Sequence, residues 1–303
     1  MATVSSARRQ TKPILAVVGP DRNRERAGPA VLRANRPGLR LAVDYRGRHC
    51  GIELDRSGQG ILSGEFDPRV RIDGAELLPE ADWEQTCWVS DEDVDYLELE
   101  LALPGGVRIQ RHVVLARDDE FLFLADAVLG IRPGRLDYQA SLPLVAGLSP
   151  QASGDTREIA LARGERRRAM VLPLALSEWR SERRAGDLTI ESGALDLSQS
   201  ALNSRSLFAP LFIDLGPRRL RRPVTWRQLT VAEDREVQSD DMAVGYRVQV
   251  GSRQWLFYRS LGPCGNRTLL GHNLVSEFLA ARLGRQGVPE TLIEIEAPAD
   301  DDE

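Results

Sequence analysis

Few side chains in this 303-residue sequence can do acid–base chemistry near neutral pH. The histidines are three, His49, His112 and His272, and histidine is the side chain whose ordinary pKa lies closest to neutrality. None stands at a metal-ligand spacing, so no metal is expected. His112 lies in an alternating run, residues 107–116. If that run folds back on residues 96–103 about Pro104-Gly105-Gly106, His112 comes into phase with Glu98, and Gln110 with Glu100. A His–Glu couple on one sheet face could move a proton. The plainer reading of the same spacing is a cross-strand polar pair on a solvated face. His272, in Leu270-Gly271-His272-Asn273, interrupts two strand candidates. It is a further acid–base candidate, against a turn role set by Gly271 and Asn273. Glu98, His112 and His272 are therefore the catalytic candidates.

The binding candidates are cationic or aromatic. Arg111 shares a face with Val107, Ile109 and Val113, and a buried arginine needs a carboxylate or an anionic ligand. Asp126 breaks the apolar run Leu124-Ala125-Asp126-Ala127-Val128 on the following strand and is the expected partner. The pair reads as an internal ion pair or, more sharply, as a site arginine for an anionic substrate. Arginines also cluster at 163–168, 180–184 and 218–222. Arg221 and Arg222, held between Pro217 and Pro223, could grip sulfated or uronate sugars bidentately; solvated loops paired with nearby acids are the plainer reading. Trp179, in Ser177-Glu178-Trp179-Arg180, has polar neighbours and is the tryptophan expected at the surface, where it could stack on a sugar. Trp83, Trp88, Trp226 and Trp255 fall in strand candidates and read as core. The acidic run Asp91, Glu92, Asp93, Asp95 lacks the glycine and final glutamate of a calcium loop and reads as solvated. No phosphate-binding glycine loop, nucleophile elbow or zinc-protease helix occurs, and no cofactor is expected.

These residues must be positioned by strands. Residues 96–103 alternate, with Leu97, Leu99, Leu101 and Leu103 on one side. A glycine turn, a return strand at 107–116, a turn at Arg117-Asp118-Asp119 and a third strand at 120–129 make an antiparallel meander. Hairpins are expected at 243–261 about Gly251-Ser252 and at 276–296 about 284–287. Further short strands fall at 39–45, 49–54, 70–72, 83–88, 136–144, 169–176, 187–191, 207–215 and 224–231. Such spacing predicts an all-β chain, a large antiparallel sandwich with few helices. Residues 1–37, rich in Arg, Pro, Gly and Ala, read as a loose arm, 38–297 as the sandwich domain and 298–303 as an acidic tail.

A hydrophobic share of 42% leaves ample core, and a net charge of -5 argues against nucleic acid as partner. No apolar run is long enough to span a bilayer and no secretory signal is seen, so no membrane association and a cytoplasmic location are expected. Cys50, Cys87 and Cys264 show no paired short spacing, and three buried free thiols are expected.

The stretch 95–130 resembles the β-sandwich domain that follows the helical toroid in heparinase II/III-like polysaccharide lyases. The likeness is carried by Gly106-Val107-Arg108-Ile109-Gln110-Arg111-His112-Val113-Val114-Leu115 and by Phe121-Leu122-Phe123-Leu124-Ala125-Asp126. It implies a sandwich of that type, similar also to the galactose-mutarotase-like supersandwich. No toroid is read in this sequence, and in those lyases the toroid supplies much of the catalytic machinery. The leading expectation is therefore a non-catalytic, carbohydrate-related module that binds acidic oligo- or polysaccharides. A lyase-like enzyme or mutarotase-like epimerase is the second reading. A structural module offering sheet edges to a protein partner is the third.

Overall fold

The computed structural model describes residues 15–17, 29–34, 38–182, 186–284 and 287–296. The central meander forms as the alternation demands: Val94–Ala102, Arg108–Ala116 and Phe121–Pro143 are consecutive antiparallel strands. The first turn uses the left-handed conformations of Gly105 and Gly106, at φ 72° and 75°, which cost glycine nothing. In this register His112 faces Glu98 and Gln110 faces Glu100. The third strand runs on through an irregularity between Leu129 and Leu136 and pairs along its length with the similarly long Ala194–Asp214. Two strand candidates, 120–129 and 136–144, are thus one bent strand.

These strands belong to an eleven-stranded central sheet. A four-stranded sheet of Ala30–Arg33, Leu39–Asp44, Gly51–Arg56 and Gln59–Glu65 covers one face. There Leu41, Val43, Ile52 and Leu54 pack with Leu97, Leu99, Leu101, Ile109, Val113, Leu122 and Leu124. A six-stranded sheet built mainly from Val224–Leu229, Ala243–Val250, Arg253–Ser260, Phe278–Leu283 and Pro289–Glu296 covers the other. Phe121, Phe123, Phe208 and Phe212 pack there with Trp226, Trp255, Phe257 and Phe278. A small sheet that includes Arg267–Leu269 and His272–Leu274 closes over the outer side of this layer around Leu256, Leu269 and Leu279. The fold is all-β, mostly antiparallel, and stacked in more than two layers. Among the described residues the sole helical element is one 3₁₀ turn, Pro104–Gly106, and no helix is long and apolar enough to cross a membrane.

Burial of the meander on both faces explains a run such as Phe121-Leu122-Phe123-Leu124, where alternation gives way to continuous apolar residues. It also moves groups that the sequence placed in water. Tyr96 and Glu98 are as buried as Leu97 and Leu99 beside them, and Asp95, from the acidic run, is buried beneath Arg117. Within the expected N-terminal arm, Leu15–Val17 pairs in parallel with Pro289–Glu296 and Ala30–Arg33 pairs with Leu39–Asp44. Most of the rest of that arm, and the acidic tail, lie outside the described residues.

Candidate functional site

Arg111 and Asp126 meet between the central and N-terminal layers. The guanidinium forks onto the carboxylate through Nε and Nη2, both at 2.7 Å, and its Nη1 donates to the Phe66 carbonyl at 2.6 Å. Tyr138 donates its hydroxyl to the same carboxylate at 2.7 Å, while the Phe66 and Trp83 rings flank the cation at 4.4 and 4.8 Å. Burial opposes the charge on Arg111, but the Asp126 charge and hydrogen bonds outweigh it and hold the arginine pKa above its ordinary value. Both side chains are 0% exposed, so every donor is directed inward and none meets solvent.

On the opposite face of the same strand, His112 lies between the central and C-terminal layers. Its ring stacks on Phe278 at 4.9 Å and stands edge-on to Phe208. The His112–Glu98 approach of 3.7 Å is too long for a hydrogen bond. Tyr96 joins the two, its hydroxyl donating to Glu98 at 2.5 Å and lying 2.9 Å from Nδ1 of His112. Thr86 donates to the other Glu98 oxygen at 3.0 Å. Burial raises the Glu98 pKa, partly offset by the Arg259 charge, and burial followed by that same charge lowers the His112 pKa well below the usual imidazole range. The imidazole is thereby held neutral, with Nε2 unpartnered. Arg259, fully buried, bonds Gln110 and pairs with Glu277 at 2.7 Å. The face expected in water is a sealed polar seam. Spacing alone gives no sign that Tyr96, Arg259 and Glu277 join the seam, although Arg259 does end the apolar run Trp255-Leu256-Phe257-Tyr258.

His272 sits elsewhere, half-buried in the small sheet, with Nε2 3.2 Å from the Gly287 carbonyl. It does not join His112. A further group, His49, Glu65 and Asp67, brings its ligand atoms within 4.8 Å of one another near the surface. His49 there shares a 2.5 Å hydrogen bond with Asp67 that raises its pKa. Cys50 and Cys87 are buried free thiols, whereas Cys264, expected to be buried, is exposed.

Trp179 is half exposed and lines an open groove of about 520 Å³. Its loop is held from beneath by Arg157, whose buried guanidinium donates to the carbonyls of Ser177 at 2.8 Å, Trp179 at 2.6 Å and Glu182 at 3.1 Å. From the side, Trp226 donates its indole N–H to the Leu176 carbonyl at 2.9 Å, and Thr225 donates to Glu178. Across from the tryptophan run Val224–Leu229, an edge strand, and Ala243–Val250, with Thr225 opposite Gln249 and Arg227 opposite Arg247. Alternation turns Trp226 and Val248 into the core and presents Thr225, Arg227, Arg247 and Gln249 to the groove. A fixed indole beside two guanidinium groups and two carboxamides, Gln228 and Gln249, can stack on an apolar ring face while bonding anionic or hydroxyl substituents.

The arginine clusters separate. Arg167 and Arg221 line a small groove together, and Arg222 lines a different one. Arg180 caps the carbonyls of Ser153 and Thr156, while Arg183 and Arg184 lie outside the described residues. Arg111, His112, Trp179, His272 and Arg221–Arg222 therefore do not converge on one cleft.

No protein-family model and no curated protein matches the chain. Among solved structures, a mutant of the heparan sulfate lyase HepC from Pedobacter heparinus is similar at TM-score 0.54 and 12% identity, over 78% of this chain and 42% of its own. A heparinase III structure is similar at TM-score 0.52 and 9% identity, over 78% and 42%. This chain spans less than half the length of the lyases it overlaps. At these identities the likeness is one of fold, and it extends the resemblance of residues 95–130 to most of the chain.

Proposed function

We propose that the chain is a carbohydrate-binding β-sandwich module that holds acidic oligo- or polysaccharides at the Trp179 groove without turning them over. The observation that carries this reading is the half-exposed indole on a loop fixed by Arg157, facing Arg227 and Arg247. A platform ordered before binding loses little conformational entropy on contact. The two guanidinium groups act over a Debye length of about 8–10 Å, so the overall negative charge of the chain does not prevent local capture of an anion. The non-catalytic reading is supported by the acid–base candidates themselves: His112 and Glu98 are sealed inside, and His272 stands apart from both.

The test is calorimetric titration of the full chain with uronate and sulfated oligosaccharides at low salt. Binding is expected to weaken about tenfold or more in Trp179→Ala, and in Arg227→Ala/Arg247→Ala together with much of its salt dependence. Affinity unchanged in Trp179→Ala removes the groove from the reading. No binding across the panel passes first place to a protein-interaction module. Ultraviolet absorbance from an unsaturated uronate product, or anomer interconversion seen by NMR, restores the enzymatic one.

A further inference from the structure

A second cleft, of about 570 Å³, is lined by Arg218, Arg219, Arg222, Ser252 and Arg253, with Asp118 and Glu120 as its acids. It lies where the loop 215–223 meets the turn after Ala243–Val250, tied by the Gly251 amide donating to the Pro223 carbonyl at 2.9 Å. The loop is not loose. Leu220 is buried, and Arg219 folds inward to Asp214, Nη2 to Oδ1 at 2.5 Å, with its guanidinium over the Trp255 ring at 5.1 Å. With Arg219 and Leu220 anchoring the loop, Arg218 and Arg222 are turned outward, and among the described residues neither side chain makes a hydrogen bond.

Charge accounting shows what the cleft lacks. Arg219 is matched by Asp214, and Glu120 by Arg56. Arg253 reaches Asp119 at 3.3 Å, but that carboxylate already takes Arg282 at 2.5 Å and the Trp255 indole at 3.1 Å. The one other acid on the wall, Asp118, is a single carboxylate beside Arg218, Arg222 and the 61%-exposed Arg253 side chain. The three cations repel one another, and a shared anion relieves that repulsion. Guanidinium groups match tetrahedral oxyanions by paired N–H donors, and Ser252 adds a hydroxyl. The volume admits the anion together with the small molecule that carries it.

We propose that this cleft binds a sulfate or phosphate monoester, gripped by Arg218, Arg222 and Arg253. The inference is independent of the Trp179 groove. A sulfated sugar and a phosphorylated metabolite share the oxyanion, and the experiment separates them. The full chain is titrated at low salt with inorganic sulfate, inorganic phosphate, glucosamine 6-sulfate and glucose 6-phosphate. One or both esters are expected to bind, weakening about tenfold or more in Arg218→Ala/Arg222→Ala and remaining unchanged in Arg48→Ala, an exposed arginine elsewhere. Preference for the sulfate ester assigns the sugar source, preference for the phosphate ester assigns the metabolite, and equal binding assigns the oxyanion alone. The proposal is overturned if no probe binds up to about 10 mM. It is also overturned if the double variant, folded by circular dichroism, binds as the parent does.

Discussion

Replacing Arg111 with methionine while Asp126 stays in place leaves a carboxylate inside the protein with the Tyr138 hydroxyl as its remaining partner. Both members of the pair are wholly buried, so the loss expected in a urea melt is about 3–5 kcal/mol. Replacing Asp126 as well, by leucine, should recover much of that loss, because the stranded charge goes with it. No loss in Arg111→Met would mean that the side chain reaches water. Glu98 behaves differently because burial favours the protonated acid and outweighs the Arg259 charge and the Tyr96 and Thr86 hydroxyls, which favour the carboxylate. Its folded pKa is raised, chiefly by burial, so its stabilising contribution is present below the ordinary carboxyl value and disappears as pH rises through the folded pKa. Glu98→Gln, which keeps the acceptor for Tyr96, should therefore be more stable than the parent at pH 7.5, with the advantage shrinking towards pH 4.5. His112 has the opposite sign. Its pKa is lowered, again by burial first, so its contribution is present above the ordinary imidazole value and is lost as pH falls below it. Thermal melts at the two pH values read the Glu98→Gln difference directly, and an advantage that grows on acidification would contradict the assignment.

At the scale of elements, the Trp179 loop is the part whose behaviour depends on one residue far from it in sequence. Arg157 donates to three carbonyls of that loop, and charge-assisted bonds of this kind contribute about 1.5–3 kcal/mol each when buried. Arg157→Met should cost at least about 2 kcal/mol of stability and speed amide exchange across residues 177–182. Glycan affinity at the groove should fall although Arg157 touches no ligand. Unchanged exchange in those residues would show that the Trp226 and Thr225 contacts suffice. The exposure of Trp179 is legible from its polar neighbours Ser177, Glu178 and Arg180. The role of Arg157 is not, because its partners are backbone carbonyls, which every residue possesses. Nor are Arg227 and Arg247 legible as a pair: they oppose each other only once two strands separated by the short strands Val231–Glu233 and Glu236–Val237 have been brought edge to edge.

For the whole molecule, the decisive feature is that the central meander, residues 94–129, has no wet face. Phe123 stacks on Phe257 at 4.4 Å between the central and C-terminal layers, and Leu99 is buried against the N-terminal one. Phe123→Ala should cost about 3–5 kcal/mol and Leu99→Ala about 2–5 kcal/mol. In a two-layered sandwich one of these substitutions would face solvent and cost little, so comparable losses in denaturant melts verify the stacking. The amino-acid sequence by itself determined the meander strands, the Pro104-Gly105-Gly106 turn, the His112–Glu98 register and Asp126 as partner of Arg111. Each follows from local alternation, glycine conformation or the cost of an unpaired charge. Tertiary structure alone decided whether Glu98 and His112 face water or protein, that Arg259 joins them, and which arginines share a cleft. Alternation tells which residues lie on the same face of a strand. It does not tell what covers that face, because one covering layer comes from strands before the meander, at 30–65, and the other from strands far beyond it, at 224–296.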